Sequence, residues 1–243
     1  MPATKKKVVS IIQSSYIPWK GYFDIIDQSD AFILLDDVQY TKRDWRSRNK
    51  IPTANGEKWL TVPVKVKGKY YQKICDVEVS DPKWHRSHWG TIENAYRTAP
   101  FFNEMKDYVE DLYLSAGKQS LLSEINFHFI QNICNMLRIG TPLTWSMDYG
   151  IETEDPTERL VQLCLAENAT TYISGPAARA YLDETMFERH GIKVRYFEYG
   201  QYPAYKQQQK EFNHFVSVLD MLFMCGPETM QMIRNRKDNI TTE

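Results

Sequence analysis

The sequence has almost no excess of charge of either sign: 30 lysines and arginines face 31 aspartates and glutamates, a formal net charge of −1 at pH 7. That balance excludes a bulk field for long nucleic acid or an anionic membrane, although a local patch such as Lys42 to Lys50 can still hold one phosphate group or a tRNA end. Long apolar runs are lacking too. Lys5, Lys6 and Lys7 precede Val8 to Ile12, but that run is too short for a signal peptide, no cleavage-like segment follows, and no stretch has the length of a transmembrane helix. Cysteine is scarce and scattered. Cys75, Cys134, Cys164 and Cys225 show no CxxC or Cys/His spacing, so neither a zinc site nor a disulfide framework is expected. Three of them sit in apolar surroundings as core thiols, and the cytoplasm is the natural compartment. There is also no Walker lysine loop and no GxGxxG, which leaves ATP or dinucleotide use without direct support and the cofactor unknown.

What is present concentrates in Gln13 to Lys50, QSSYIPWKGYFDIIDQSDAFILLDDVQYTKRDWRSRNK. An apolar run, Val8 to Ile12, precedes it, and a second, Ala31 to Leu35, ends abruptly in Asp36 and Asp37. Between them Tyr22, Phe23, Ile25 and Ile26 have the spacing of one helical face. Strand, helix, strand in this order makes the two strands parallel neighbours, so the loops that follow them open on one sheet edge, where open α/β sheets bind ligands. Gln13, Tyr16 and Trp19 come from the first loop. Asp37, Gln39, Tyr40, Arg43, Trp45, Arg46, Arg48 and Asn49 come from the second. Guanidinium groups pair bidentately with phosphate and aromatic rings stack on sugar or base faces, so the expected ligand is a phosphorylated, hydroxyl-rich small molecule. A surface loop of solvated charges is the plain alternative.

Further along, Asn55-Gly56 marks a turn, Lys58 to Val66 reads as a strand interrupted by Pro63, and Ile74 to Val79 alternates as another. From Lys83 the period changes to that of helices: a first stretch stopped by Pro100, a second from about Phe102 to Tyr113, and a third from Lys118 to Leu137. Residues 83–138 thus form a helical insertion, either a lid over the strand ends or a bundle extension. The sheet resumes at Leu143 to Met147. Pro156 to Glu167 is a helix, Thr170 to Ser174 a strand running through Gly175-Pro176 into a helix to about His190, Val194 to Phe197 a strand, and Val216 to Cys225 a final helix. The expectation is one α/β domain over residues 1–243, a Rossmann-like, mostly parallel sheet flanked by helices, with only the last few residues disordered.

Several spaced motifs in one order, YIPWKGYFDIID, DAFILLDDVQY, KRDWRSRNKI, KWLTVPV, His88-Trp89 and YISGPAARAYLD, resemble the WbqC-like family of bacterial O-antigen gene clusters over nearly the whole chain. The resemblance implies transfer of an amino acid, glycine in the usual proposal, onto an amino sugar. Three positions depart from the pattern: Ser14 stands where proline is expected, Ser47 where asparagine is expected, and Ala180 where an acidic residue is expected before Tyr181. The acceptor is then open to difference from that of relatives.

The candidate chemistry follows. His88, or its rival Asp37, relieves the acceptor amine of a proton, since an ammonium cannot attack a carbonyl. A charge such as that of Asp37 beside arginines also suits holding an ammonium or hydroxyls, and a histidine serves as readily by donating to a backbone carbonyl. Arg43, Arg46 and Arg48 grip phosphates, while Trp19, Tyr40 and Trp45 stack on rings. Gln13, Tyr16, Tyr22, Gln39 and Asn49 complete the binding set, with Ser174 and Gly175 at a turn whose N–H groups receive an anion and Tyr181 at the acceptor. The donor is an activated aminoacyl group, with charged tRNA one possibility, and the acceptor a nucleotide- or lipid-linked sugar. Two other classes stay open: a non-catalytic sugar-nucleotide-binding protein, and a nucleotidyltransferase using Asp36 and Asp37 with Mg²⁺. The layout of elements, as an analogy only, also resembles that of Rossmann-like nucleotidylyltransferases and class I synthetases, but their His-x-Gly-His loop is not present in Tyr16 to Tyr22.

Overall fold

The computed structural model describes residues 6–236; Lys5 and the closing residues expected to be disordered lie outside them. The first strand, β1 (Val8–Ile12), passes through helix α1 (Lys20–Asp27) to β2 (Ala31–Leu34), and the two pair in parallel, Val9 opposite Ala31. Strand β5 (Leu143–Trp145) adds in parallel beyond β2, and β6 (Thr171–Ser174) and β7 (Lys193–Tyr196) add in parallel on the other side of β1. The sheet order is β5-β2-β1-β6-β7. The chain therefore grows outward one way from β1 and later returns to grow the other way, which puts a topological switch point between β1 and β6. This is the expected α/β, Rossmann-like sheet flanked by helices.

Alternation along the strands divides the core. Val9, Ile11, Ala31, Ile33 and Tyr172 face helix α5 (Pro156–Ala166) and the short helix α6 (Glu184–Glu188), with Leu163 and Phe187 packed against them. Phe32, Leu34 and Ile173 face the other way, into a larger core shared with α1, the insertion helices and α7 (Val218–Cys225). A helix α8 (Thr229–Arg234) ends the described chain. Each fully buried apolar side chain of this kind contributes on the order of 2 kcal/mol.

The insertion consists of α2 (Trp84–Tyr96), α3 (Phe102–Ala116) and α4 (Leu122–Met136), close to the expected ranges. It both extends the core and reaches the strand ends. Trp84 and Phe129 pack on Tyr16, and Ser123 and Asn126 of α4 bond to Asp36 and Ser14, which follow β2 and β1.

Three expectations are corrected. The segment Arg48–Thr53 is a strand, β3, paired antiparallel with β4 (Gly56–Thr61) across a turn where Gly56 takes φ 102°, so Arg48 and Asn49 sit on a hairpin rather than in a loop. The strand expected at Ile74 to Val79 is a 3-10 turn, Ile74–Asp76, because its amides serve several partners: Ile74 N–H donates to Val38 (2.9 Å) and Cys75 N–H to Asp36 (2.9 Å). The long helix expected after Gly175 is broken into a 3-10 turn, Pro176–Ala180, and α6, whose start is capped by the Asp183 carboxylate accepting from Thr185 N–H at 3.0 Å. Among the described residues no helix is long and apolar enough to cross a membrane.

Candidate functional site

Beside the carboxyl end of β1 lies a cleft of about 280 Å³, lined by Ile12, Ser15, Pro18, Trp19 and Tyr22, by Trp45, Arg46 and Asn49, and by Tyr199 and Phe215. Three chain segments build it, and backbone hydrogen bonds hold them together. Tyr16 N–H donates to the Trp45 carbonyl (2.9 Å), Ser217 N–H to Lys50 (2.9 Å) and Val218 N–H to Pro18 (2.9 Å). The loop after β1 turns sharply at Ile17, which takes φ 37°, a dihedral that a β-branched residue rarely adopts. Asn49 fixes that turn. Its amide donates to the carbonyls of Ile17 (2.8 Å) and Tyr16 (3.3 Å), and its oxygen accepts from Lys50 N–H (2.8 Å). Asn49 thus lines the cleft with its polar atoms already engaged.

The walls are aromatic. Trp19 lies 4.8 Å from Tyr199 and 5.4 Å from Phe215, centroid to centroid. Its indole rests over the first turn of α1, where a Cβ on Gly21 would stand 2.3 Å from the ring, so only glycine leaves the ring in this seat. Trp45 packs on Trp59 at 5.6 Å, and the Arg48 guanidinium stacks on Trp59 at 4.4 Å, extending the aromatic surface past the rim. Burial drives the Tyr22 phenol well above its ordinary pKa and pushes the Tyr199 phenol up to about 12, so both remain O–H groups at neutral pH. Tyr22 donates to the Gln13 carbonyl at 3.2 Å.

Arg46 supplies the charge. Its side chain is 12% exposed, one terminal nitrogen donates to Gln13 Oε1 at 2.8 Å, and the nearest carboxylate, Asp44, stands 3.9 Å from Nε. That Nε is buried and has no hydrogen-bond partner. Nε is enclosed, so an acceptor in the cleft meets the terminal nitrogens, of which only one is bonded, to Gln13.

Of the residues singled out in the sequence, Trp19, Tyr22, Trp45, Arg46 and Asn49 meet here, with Gln13 one bond behind. The others are placed elsewhere. His88 is buried, with Nε2 3.2 Å from the Thr61 carbonyl and Nδ1 2.7 Å from the Tyr16 hydroxyl. A carbonyl only accepts, so Nε2 carries the proton and Nδ1 accepts from Tyr16, whose oxygen lies 2.9 Å from the Tyr113 hydroxyl. Burial lowers the His88 pKa to about 4. Both ring nitrogens are therefore engaged in the core, and Tyr16 is fully buried with it.

Asp37 accepts from Ser146 and Arg159, on the side of β2 that faces β5. Its neighbour Asp36, buried, accepts from Ser14 N–H (2.9 Å) and from Ser123. Gln39 donates to the Tyr70 carbonyl (3.1 Å), the Tyr40 and Ser47 hydroxyls lie 2.8 Å apart, and Arg43 is exposed. Ser174 is buried and accepts from the Tyr172 hydroxyl (3.2 Å), while Gly175 precedes a 3-10 turn, not a helix start. Tyr181 is 69% exposed, and Ala180, where an acid is expected, is exposed as well. The two serine departures are internal: Ser14 Oγ accepts from Asn126 (2.9 Å), and Ser47 meets Tyr40.

Ile12, Ser15, Pro18, Tyr199 and Phe215 line the cleft as well, outside the set expected from the sequence. The aromatic density of Tyr199 to Tyr205 was a signal for the first of the two rings; Phe215, just ahead of an apolar helix, carried none. The cleft can receive a flat or ring-shaped molecule between aromatic walls and bind an anionic or strongly accepting group through Arg46.

A family model for the WbqC-like protein family matches residues 13–232. The chain is also 45% identical over 228 residues to Rv1507c of Mycobacterium tuberculosis, which bears the name uncharacterized protein, covering 94% of this chain and 98% of that one. With the match running from the first site loop to the last described helix, this chain belongs to the WbqC-like protein family.

Proposed function

We propose that the protein is a transferase that binds a phosphorylated or nucleotide-linked amino sugar in this cleft and moves an aminoacyl group, of the glycyl type, onto its amine during surface-polysaccharide or related biosynthesis. The observation that carries the reading is the Arg46 guanidinium among aromatic walls, with only one of its terminal nitrogens bonded within the protein: it suits an anion attached to a ring. Arg46 takes a phosphate, Trp19 and Trp45 take ring faces, and the Tyr199 hydroxyl donates to a sugar oxygen. With His88 and Asp37 bound into the scaffold, catalysis is by positioning. An activated acyl donor needs little further help once amine and carbonyl are held together, and the amine loses its proton to water or to the leaving oxygen.

Among the described residues the cleft lining contains no carboxylate and no imidazole, which favours a second reading, a sugar-nucleotide-binding protein without turnover. Mass spectrometry decides between them. Incubation with nucleotide-linked amino sugars and activated glycine should yield a product heavier by one aminoacyl residue, and Arg46→Met should lower its rate about 10- to 100-fold at limiting acceptor, matching the loss of one charge-assisted contact. Tight binding of the sugar with no product supports the second reading; no binding at all overturns both.

A further inference from the structure

We propose that the acyl donor is the aminoacyl ester at the 3′ end of an RNA, held on a basic, aromatic face built beside the cleft by residues 42–45 and 65–73. The proposal rests on the transferase reading above and names its second substrate. The two segments are zipped together at their bases: Gln39 bridges Lys73 in antiparallel fashion, Tyr40 N–H donates to Gln72 at 2.9 Å, and the Gln39 amide donates to Tyr70 at 3.1 Å. On the face so formed, Tyr70 and Tyr71 are 68% and 82% exposed, edge to face at 4.9 Å. Two adjacent exposed rings make a contiguous surface on which flat groups can stack.

Along the two segments that flank this junction, Lys42, Arg43, Lys67 and Lys73 are exposed and make no ion pair among the described residues. Lys65 and Lys69 are different: both pair with Glu78, at 2.6 and 2.9 Å. The acidic neighbour on the other segment, Asp44, is half-buried and accepts from Trp45 N–H at 2.7 Å. Unpaired cations interleaved with exposed aromatic rings match the alternating phosphates and flat bases of single-stranded nucleic acid. The net charge of −1 confines this attraction to one face, suiting a short terminal segment rather than a long duplex. Trp45 joins the two sites, since it follows Arg43 by two residues and also lines the cleft.

The chemistry balances without a further co-reactant. The acceptor nitrogen forms a bond to the acyl carbon, the ester C–O bond to the ribose oxygen breaks, and the proton lost by nitrogen ends on that oxygen as a hydroxyl. The ester itself supplies the driving force, in keeping with a chain that has no phosphate loop for activating an acid with ATP.

Fluorescence anisotropy of an uncharged RNA hairpin bearing a 3′ CCA overhang tests the face directly. The double variant Lys67→Glu/Lys73→Glu should weaken binding at least about tenfold at low salt, and Tyr71→Ala at least about fivefold, as loss of one stacked base predicts. Calorimetry with a nucleotide-linked sugar should show neither variant changed, and Arg46→Met should do the reverse. Hairpin binding indifferent to both substitutions overturns the proposal and leaves the transferase reading standing. So does heparin binding that responds to Tyr71→Ala as strongly as the hairpin does, which would mark a polysaccharide surface. Failure of the sugar to bind while the hairpin binds as expected strikes the transferase reading alone.

Discussion

At the scale of single residues, His88 shows how a reactive side chain can be withdrawn from chemistry by its neighbours. Its neutral tautomer is defined by Thr61 on one side and Tyr16 on the other, and burial holds its pKa near 4 against the usual 6.5. The unfolded chain therefore binds a proton at this ring between pH 6.5 and about 4 while the folded chain does not, so stability present above pH 6.5 is lost as pH falls through that window. The full loss from this one group is about 3 kcal/mol. Denaturant midpoints at pH 7 and pH 4.5 should fall farther in the wild type than in His88→Gln, whose amide cannot titrate; equal falls would mean that His88 is not buried neutral. His88→Gln should leave sugar binding unchanged. The burial was readable in the sequence: Trp84, His88, Ile92 and Tyr96 recur every four residues, the stripe a helix turns inward, and all four are buried. Arg46 and Arg43, three residues apart, were not distinguishable in that way, because only the fold decides which guanidinium is enclosed and which faces solvent.

At the scale of elements, the first turn of α1 determines one wall of the cleft. Gly21 leaves the space in which the Trp19 ring lies, and an added methyl group would stand 2.3 Å from it. Gly21→Ala should therefore push the indole off its seat, weaken binding of a ring-bearing ligand about tenfold through loss of the stacked contact, and alter tryptophan fluorescence, with thermal stability changed by less than the cost of deleting a core side chain. Unchanged affinity would show that Trp19 does not stack on the ligand. The strands and long helices were legible because their apolar residues repeat with periods of two or near 3.6. Of the segments that escaped, β3 opens on the polar run Arg48 to Lys50, which shows no apolar alternation although it joins a ladder, and the two others bond their amides outside any ladder. Ile74 to Val79 alternates like a strand yet serves Val38, Asp36 and the start of α4, and Gly175 to His190 contains a fresh N-cap, Asp183, that restarts a helix. Local pattern cannot reveal partners far away in sequence.

At the scale of the whole molecule, the helical insertion and the sheet share a core and a polar seam. Asp36 accepts from Ser14 and Ser123, and Asn126 donates to Ser14 (2.9 Å) and to the Arg46 carbonyl (2.9 Å), which joins α4 to both site loops. Unfolding followed by tryptophan fluorescence and by far-ultraviolet circular dichroism should trace one transition, and Asn126→Ala should lower its midpoint by about 1–3 kcal/mol equivalent, because it strips partners from buried groups. Two separated transitions would show that the insertion folds as a unit of its own. The same seam explains why the parallel sheet was readable in outline while the cleft was not: the expected edge is filled at β2 by α4, so the open space lies beside β1, where Tyr199 and Phe215 arrive from the far end of the chain.

A β-branched residue resists the dihedral that Ile17 adopts, so the folded core must keep that loop bent whether or not anything occupies the cleft. The floor of the loop beside the cleft is therefore set by the fold itself, and on the proposed reading an acceptor has to fit that side of the space as it stands.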